Sequence, residues 1–255
     1  MAGTFSQKDE KLFESRITDM IRLSEKRGTV YSLFLDGREM NTARELLERS
    51  GCGYKFYGVF NEADRQMLCI YDSDGYFEPE REDFPITLLT FRYRQENKLT
   101  HRDFLGAFMS LGIKRETVGD IAVFEGVAQA AVADTAAELI ESVVCKIGSV
   151  GVRCTRDSLD NALQKKQDYR EITGTVPSLR LDAVVSTALG LSRAKAAEII
   201  KAVGAEVNFE EKHDCSYNLK ETDVFSVRRY GKYRLSAVSG ITKKGRIHIT
   251  ILKYC

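Results

Sequence analysis

The stretch SRAKAAEIIKAVGAEVN, residues 192–208, opens with a serine suited to capping a helix and then places Arg193 and Lys195 in the first turn. Cations there oppose the positive end of the helix macrodipole, at roughly 0.3–1 kcal/mol each. The apolar face is supplied by Ala196, Ile199, Ile200 and Val203, so the spacing sends both cations outward, beside backbone N–H groups without an intrahelical partner. Such an end binds anions, phosphate above all. Arg180 stands at the start of the preceding helix, and VRRYGKYR at 227–234 interleaves Arg228, Arg229, Lys232 and Arg234 with Tyr230 and Tyr233. Alternating guanidinium and phenol suits RNA, since aromatic faces stack bases while cations hold phosphates. The turn TKKGR at 242–246 adds Lys243, Lys244 and Arg246. The expected chemistry is non-covalent grip on a phosphate backbone. Replacing Arg193 and Lys195 by Glu should then weaken RNA binding and leave the fold intact.

Covalent chemistry finds little support. HRD at 101–103 resembles a kinase catalytic loop, but it lies in a helical pattern with no glycine-rich loop upstream and no DFG downstream. No G-x-G turn offers a nucleotide cofactor a cradle. The six cysteines, at 52, 69, 145, 154, 215 and 255, form no CxxC pair, which argues for reduced thiols and against zinc or disulfides. No catalytic residue, cofactor or metal is expected, and the chain has no room for the large catalytic domain of an RNA-modifying enzyme.

The 255 residues, 43% hydrophobic and 29% charged with a net charge of +1, have the composition of a globular protein of two or three small domains. No apolar run reaches the roughly 18–20 residues of a membrane span, and MAGTFSQKDEKLFESR lacks the apolar stretch of a signal peptide. A cytoplasmic monomer without membrane contact is expected. Charge is uneven: residues 177–255 carry 14 Lys and Arg against 8 Asp and Glu, whereas residues 1–80 carry 11 against 15. The basic end favours a polyanionic partner.

The elements needed to position these residues follow from pattern. Residues 1–80 read as an amphipathic helix (Leu12, Phe13, Ile17, Met20, Ile21, Leu23), an apolar run, a second helix stopped by glycine, and a hairpin across NEAD at 61–64. The acidic stretch DSDGYFEPERED at 72–83 reads as a link. Residues 84–160 give a strand from Pro85, a helix capped by Thr100 with Asp103, a hairpin across Glu125-Gly126, a helix capped by Asp134, and a final strand. Within it Gly106 is expected to permit close packing and Gly119-Asp120 to form a turn. That β-α-β-β-α-β order is ferredoxin-like or RRM-like. Gly174 to Pro177 reads as a linker into a last domain, 177–255, built of two short helices on a small sheet. The fold class is α+β, with three small domains.

The segments RLDAVVSTALGLSRAKAAEIIKAVGAEVN and TDVFSVRR resemble the RNA-binding domain first defined in the fourth small-subunit ribosomal protein, through Arg180-Leu181-Asp182, Ser192-Arg193, Val207-Asn208 and Asp223-Val224-Phe225. Phe209 and Thr222 stand where that pattern carries glycine; in the segment that resembles the Arg-Gly-aromatic-Gly-Arg of YlmH-type proteins, Arg229 replaces the first glycine and Lys232 the final arginine. With THRDFLGAFMSLGIKRETVGDI at 100–121 and Thr242 to Arg246, the chain is similar to YlmH-type proteins. That resemblance implies an RNA binder on the large ribosomal subunit carrying stalled peptidyl-tRNA, acting in rescue of stalled nascent chains, with rRNA, tRNA or both as ligand. The candidate RNA-binding set is Arg180, Ser192, Arg193, Lys195, Lys201, Asn208, Arg228, Arg229, Tyr230, Lys232, Tyr233, Arg234, Lys243, Lys244 and Arg246. A candidate second contact comprises His101, Arg102, Lys114 and Arg115. The alternative is a protein–protein adaptor, for example in cell division, whose basic end only solubilises it.

Overall fold

The computed structural model describes residues 7–73, 78–164, 168–242 and 245–254. The chain divides into two compact units, residues 1–165 and 166–255, so the boundary expected near residue 80 lies inside the first. The α+β class holds, with six α-helices and four antiparallel sheets among the described residues.

The first unit begins with α1 (Gln7–Arg27), β1 (Thr29–Leu35), α2 (Gly37–Ser50), β2 (Gly53–Tyr57) and β3 (Gln66–Tyr71). Helix α2 starts at a capping box, in which Glu39 N–H donates to Asp36 and the Glu39 carboxylate accepts from Asp36 N–H, and it ends at Gly51 with φ +74°. The three strands lie in the order β1-β3-β2. Phe13 and Ile17 of α1 and Met40, Ala43 and Leu47 of α2 are buried against Leu35, Leu68 and Ile70. Leu12, expected on the buried face of α1, is 71% exposed. The acidic link falls partly on residues 74–77, outside the described residues.

The unit continues through β4 (Ile86–Arg92), α3 (His101–Ser110), β5 (Val118–Phe124), β6 (Val127–Ala133), α4 (Asp134–Val143), the small hairpin β7 (Lys146–Ile147) and β8 (Val150–Gly151), and β9 (Arg153–Asp157). The sheet order β5-β6-β4-β9, all antiparallel, is the ferredoxin-like arrangement expected. Asp103 accepts from the Thr100 backbone N–H and hydroxyl, both at 2.7 Å. The cap of α4 is Ala133, one residue before the expected Asp134, whose carboxylate instead accepts from the Thr87 hydroxyl. Gly119 and Asp120 lie within β5 rather than in a turn, because a register shift there absorbs the irregularity. Gly106 has open space where its side chain would be, so close packing is not its role.

Alternation along the strands gives this sheet two apolar faces. One, with Leu89, Phe91, Ala130 and Val132, packs under Phe104 and Phe108 of α3 and Ile140 of α4. The other, with Ile86, Leu88, Ala131 and Ala133, is continuous with Phe34, Val59, Phe60 and Met67 of the N-terminal segment. A Cβ on Gly119 would stand 2.6 Å from the Phe34 ring. An RRM stacks bases on that second face; here the N-terminal segment occupies much of it. The rest is crossed by residues 158–163, where Gln129 accepts from Leu163 N–H and donates to the Asn161 carbonyl and the Thr90 hydroxyl.

The second unit comprises β10 (Tyr169–Val176), α5 (Leu181–Leu189), α6 (Arg193–Val203), β11 (Ala205–Val207), β12 (Glu210–Lys212), β13 (Val224–Val227), β14 (Gly231–Ile241) and β15 (Ile247–Tyr254). Its sheet has the order β10-β15-β14-β13-β11-β12. The expected linker at 174–177 is therefore largely strand: β10 pairs with β15 from Tyr169↔Tyr254 to Val176↔Ile247. Ile172 and Val176 alternate inward with polar residues between, an edge-strand pattern that Gly174 and Pro177 obscure. Leu181, Val184, Val185 and Ala188 of α5 and Ala196 and Ile200 of α6 bury against Phe225, Tyr233, Leu235 and Ile251. Ile199 is half-buried and Val203 is 46% exposed, so the far end of the expected apolar face of α6 lies open. No helix among the described residues is long and apolar enough to cross a membrane.

Candidate nucleic-acid interface

The N-termini of α5 and α6 meet at one carboxylate. Asp182, in the first turn of α5, has a side chain only 8% exposed. It accepts from Arg193 Nε at 3.1 Å and Nη2 at 3.0 Å, and from Arg180 Nε and Nη2, both at 3.3 Å. Burial raises the Asp182 pKa, but the hydrogen bonds and charges of Arg180 and Arg193 outweigh it and hold the carboxylate below its ordinary value. This corrects the expectation that Arg193 only points outward. Its cost against the macrodipole is offset by a charge-assisted, two-pronged pair between helices. Each guanidinium has five N–H donors, so those not used by Asp182 remain on a partly exposed group. Arg180 is the N-cap of α5, which starts one residue later.

Ser192 caps α6 by accepting from Lys195 N–H at 3.2 Å. Lys195 is exposed and pairs with Glu198 one turn on, at 2.8 Å. Lys201 is exposed on the same helix. The turn joining β13 to β14 holds Arg228, Arg229 and Tyr230, all exposed. Arg229 has φ +74°, in the left-handed region that favours glycine. Asn208 and Phe209 at the β11–β12 turn, φ +47° and +71°, and Thr222, φ +76°, do the same. The turn geometry is thus kept at all three positions where glycine was expected, with backbone strain in its place.

Tyr233 does not join the exposed set. It is 1% exposed, stacks on Phe225 at 5.4 Å and donates its hydroxyl to the Tyr230 carbonyl, so it cannot offer a face to a base. Alternation along β14 buries it while half-exposing Lys232 and Arg234 on either side. Lys232 lies over the Tyr254 ring. Asn208 is internal as well: its amide donates to Asp223 at 2.7 Å and its carbonyl oxygen accepts from Val224 N–H at 2.9 Å. Arg246 reaches the edge strand, donating to the Thr175 hydroxyl and carbonyl. Lys243 and Lys244 lie outside the described residues.

Two shallow concavities flank the 228–230 turn. One, of about 470 Å³, runs between Lys195, Ile199, Ala202 and Val203 of α6 and Arg228, Arg229 and Tyr230. The other, of about 430 Å³, shares Arg229 and Tyr230 and adds Arg170 and Lys253. Sequence reasoning missed Asp182 as the organiser of Arg180 and Arg193, and Arg170 and Lys253 as neighbours of Arg229. The first depends on how α5 and α6 meet, and the others on β10 being a strand.

In the first unit, His101 and Arg102 start α3, and Arg115 follows that helix. Partial desolvation, then the charges of Arg115 and Arg102, hold the His101 pKa below its ordinary value. Arg115 is turned inward, donating to the carbonyls of Val118 and Gly119, and burial with neighbouring Arg65 lowers its pKa to about 10. Asp120, expected only as a turn residue, accepts from Asp64 N–H at 2.7 Å, and burial raises its pKa to about 6. Of the candidate second contact, His101, Arg102 and Lys114 are exposed, while Arg115 is committed to the fold.

Residues 79–161 match the family model described as "Putative RNA-binding domain in YlmH". The chain is a homologue of "Ribosome-associated protein quality control protein P2" of Bacillus subtilis (strain 168), 29% identical over 246 residues, covering 96% of this chain and 95% of that protein. Its fold is similar to that of "Cell division protein ylmH from Streptococcus pneumoniae", with a TM-score of 0.53 and 24% identity over 64% of this chain and 99% of that one.

Proposed function

We infer that this chain is an RNA-binding protein of the ribosome, acting on large subunits that carry stalled peptidyl-tRNA, in the quality control of stalled nascent chains. The observation that carries the reading is the basic face of the second unit: Arg180 and Arg193 paired on Asp182, Lys195 beside them on α6, and Arg228 and Arg229 across a groove from it. The likeness to a ribosome-associated quality control protein supports the ribosomal setting, and the family match supports RNA binding by the first unit too. In that unit His101, Arg102 and Lys114 are the exposed candidates to meet RNA, since the N-terminal segment occupies much of the sheet face used by an RRM. The cations hold phosphates, and Asp182 fixes two of them at a set spacing, which reduces the ordering cost of binding.

Sedimentation with ribosomal subunits tests the reading. The chain should travel with large subunits purified from stalled complexes, and ribonuclease digestion of accessible RNA should release it. Association that survives ribonuclease would favour the protein–protein adaptor instead.

A further inference from the structure

We propose that the groove between α6 and the β13–β14 turn is a receptor for a single unpaired nucleobase, so that the preferred RNA presents a bulged or single-stranded nucleotide. The proposal rests on the RNA-binding reading and adds the class of RNA. Its starting point is an apolar surface where a phosphate grip needs none. Ala202 and Val203 are exposed and Ile199 half-buried, and together they floor the concavity of about 470 Å³, a size within the roughly 300–1,000 Å³ of small-molecule sites.

The wall is Tyr230, 39% exposed. Its backbone is pinned: its N–H donates to the Val227 carbonyl at 2.9 Å and its carbonyl accepts from the Tyr233 hydroxyl at 2.9 Å. A ring on an anchored backbone offers a stacking face at low entropic cost. The rim carries Lys195, paired with Glu198, together with Arg228 and Arg229, so three cations and one carboxylate border the apolar floor. That combination matches a nucleotide, an apolar π-face on a negatively charged backbone. A paired duplex would set only ribose and phosphate against Ala202 and Val203, leaving the floor without a partner, since its bases are stacked inside. Arg229 takes its place on the rim at the expense of a left-handed backbone, an outlier of the kind that gathers at binding sites.

Two hairpin RNAs, one fully paired and one identical but for a single bulged nucleotide, test this by titration of the full chain at one salt concentration. The wild type should bind the bulged hairpin about tenfold more tightly, the scale of one base–aromatic stack. Tyr230→Ala, and separately the pair Ala202→Ser with Val203→Ser, should remove that preference; all three positions are exposed, and an unchanged melting temperature checks the fold. Equal wild-type affinity for the two hairpins overturns the proposal while leaving RNA binding standing. A preference that survives both variants overturns it as well. No binding to either hairpin overturns the proposal together with the reading beneath it. If an acidic aromatic peptide displaces the bulged hairpin at a lower concentration than a free mononucleotide does, the groove belongs to a protein partner and the proposal fails.

Discussion

Asp182 decides how the basic face must be tested. Because its carboxylate holds both Arg180 and Arg193, the substitution Arg193→Glu sets two carboxylates against each other at the start of two helices. The second unit should melt clearly earlier, contrary to the expectation drawn from sequence, whereas Lys195→Glu should leave the melting temperature within a degree or two. Asp182→Asn should lose about 1–3 kcal/mol, the scale of hydrogen bonds to a charged group, measured by denaturant titration. The sign with pH follows from the lowered pKa: the contribution is present above the ordinary carboxylate range and lost as pH falls through the folded-state value. Arg229→Gly should move two readouts in opposite directions. Relief of a left-handed residue should raise stability by up to about 1 kcal/mol, while RNA affinity falls. At this scale the sequence showed which residues were cationic and where helices began. It could not show that one arginine faces a buried acid eleven positions away, because that pairing is made by the angle between two helices.

At the scale of elements, the sheet of β4, β5, β6 and β9 carries the argument. Periodicity and capping residues sufficed to find its strands, helices and order, since each element states its own pattern. What covers its second face was not legible: Ile86, Leu88, Ala131 and Ala133 look alike whether they meet solvent, RNA or Phe34. Gly119→Ala should push on the Phe34 ring and cost about 1–3 kcal/mol, the range for overpacking a filled site. Asp120 sits in the same strand, with its pKa raised to about 6 by burial. Between that value and the ordinary carboxylate range the folded chain binds the extra proton, so ionisation of Asp120 destabilises it as pH rises. Asp120→Asn should therefore melt above the wild type at pH 7, with the gap closing as pH falls from about 6 to about 4. A gap independent of pH would assign the effect to something other than that charge. The strand β10 escaped the sequence because glycine and proline at its end imitate a linker, while its pairing with β15 spans some eighty residues of chain.

For the whole molecule, the uneven charge was the most informative global feature, with 14 cations against 8 anions from residue 177 onward. It was legible because net charge needs no structure. The groove was not, because Val203 reads as core by helical spacing yet is half exposed at the last position of α6, before Gly204. The central claim is that the exposed cations of the second unit grip an RNA backbone, and its direct measurement is the salt dependence of RNA affinity. Log affinity plotted against log salt has a slope set by the number of phosphates neutralised, roughly 0.7 per contact on a single strand. For the full chain, Arg228→Ala and Lys195→Ala should each reduce that slope by about 0.7 and weaken different RNA sequences about equally. A slope unchanged in both variants would contradict the account.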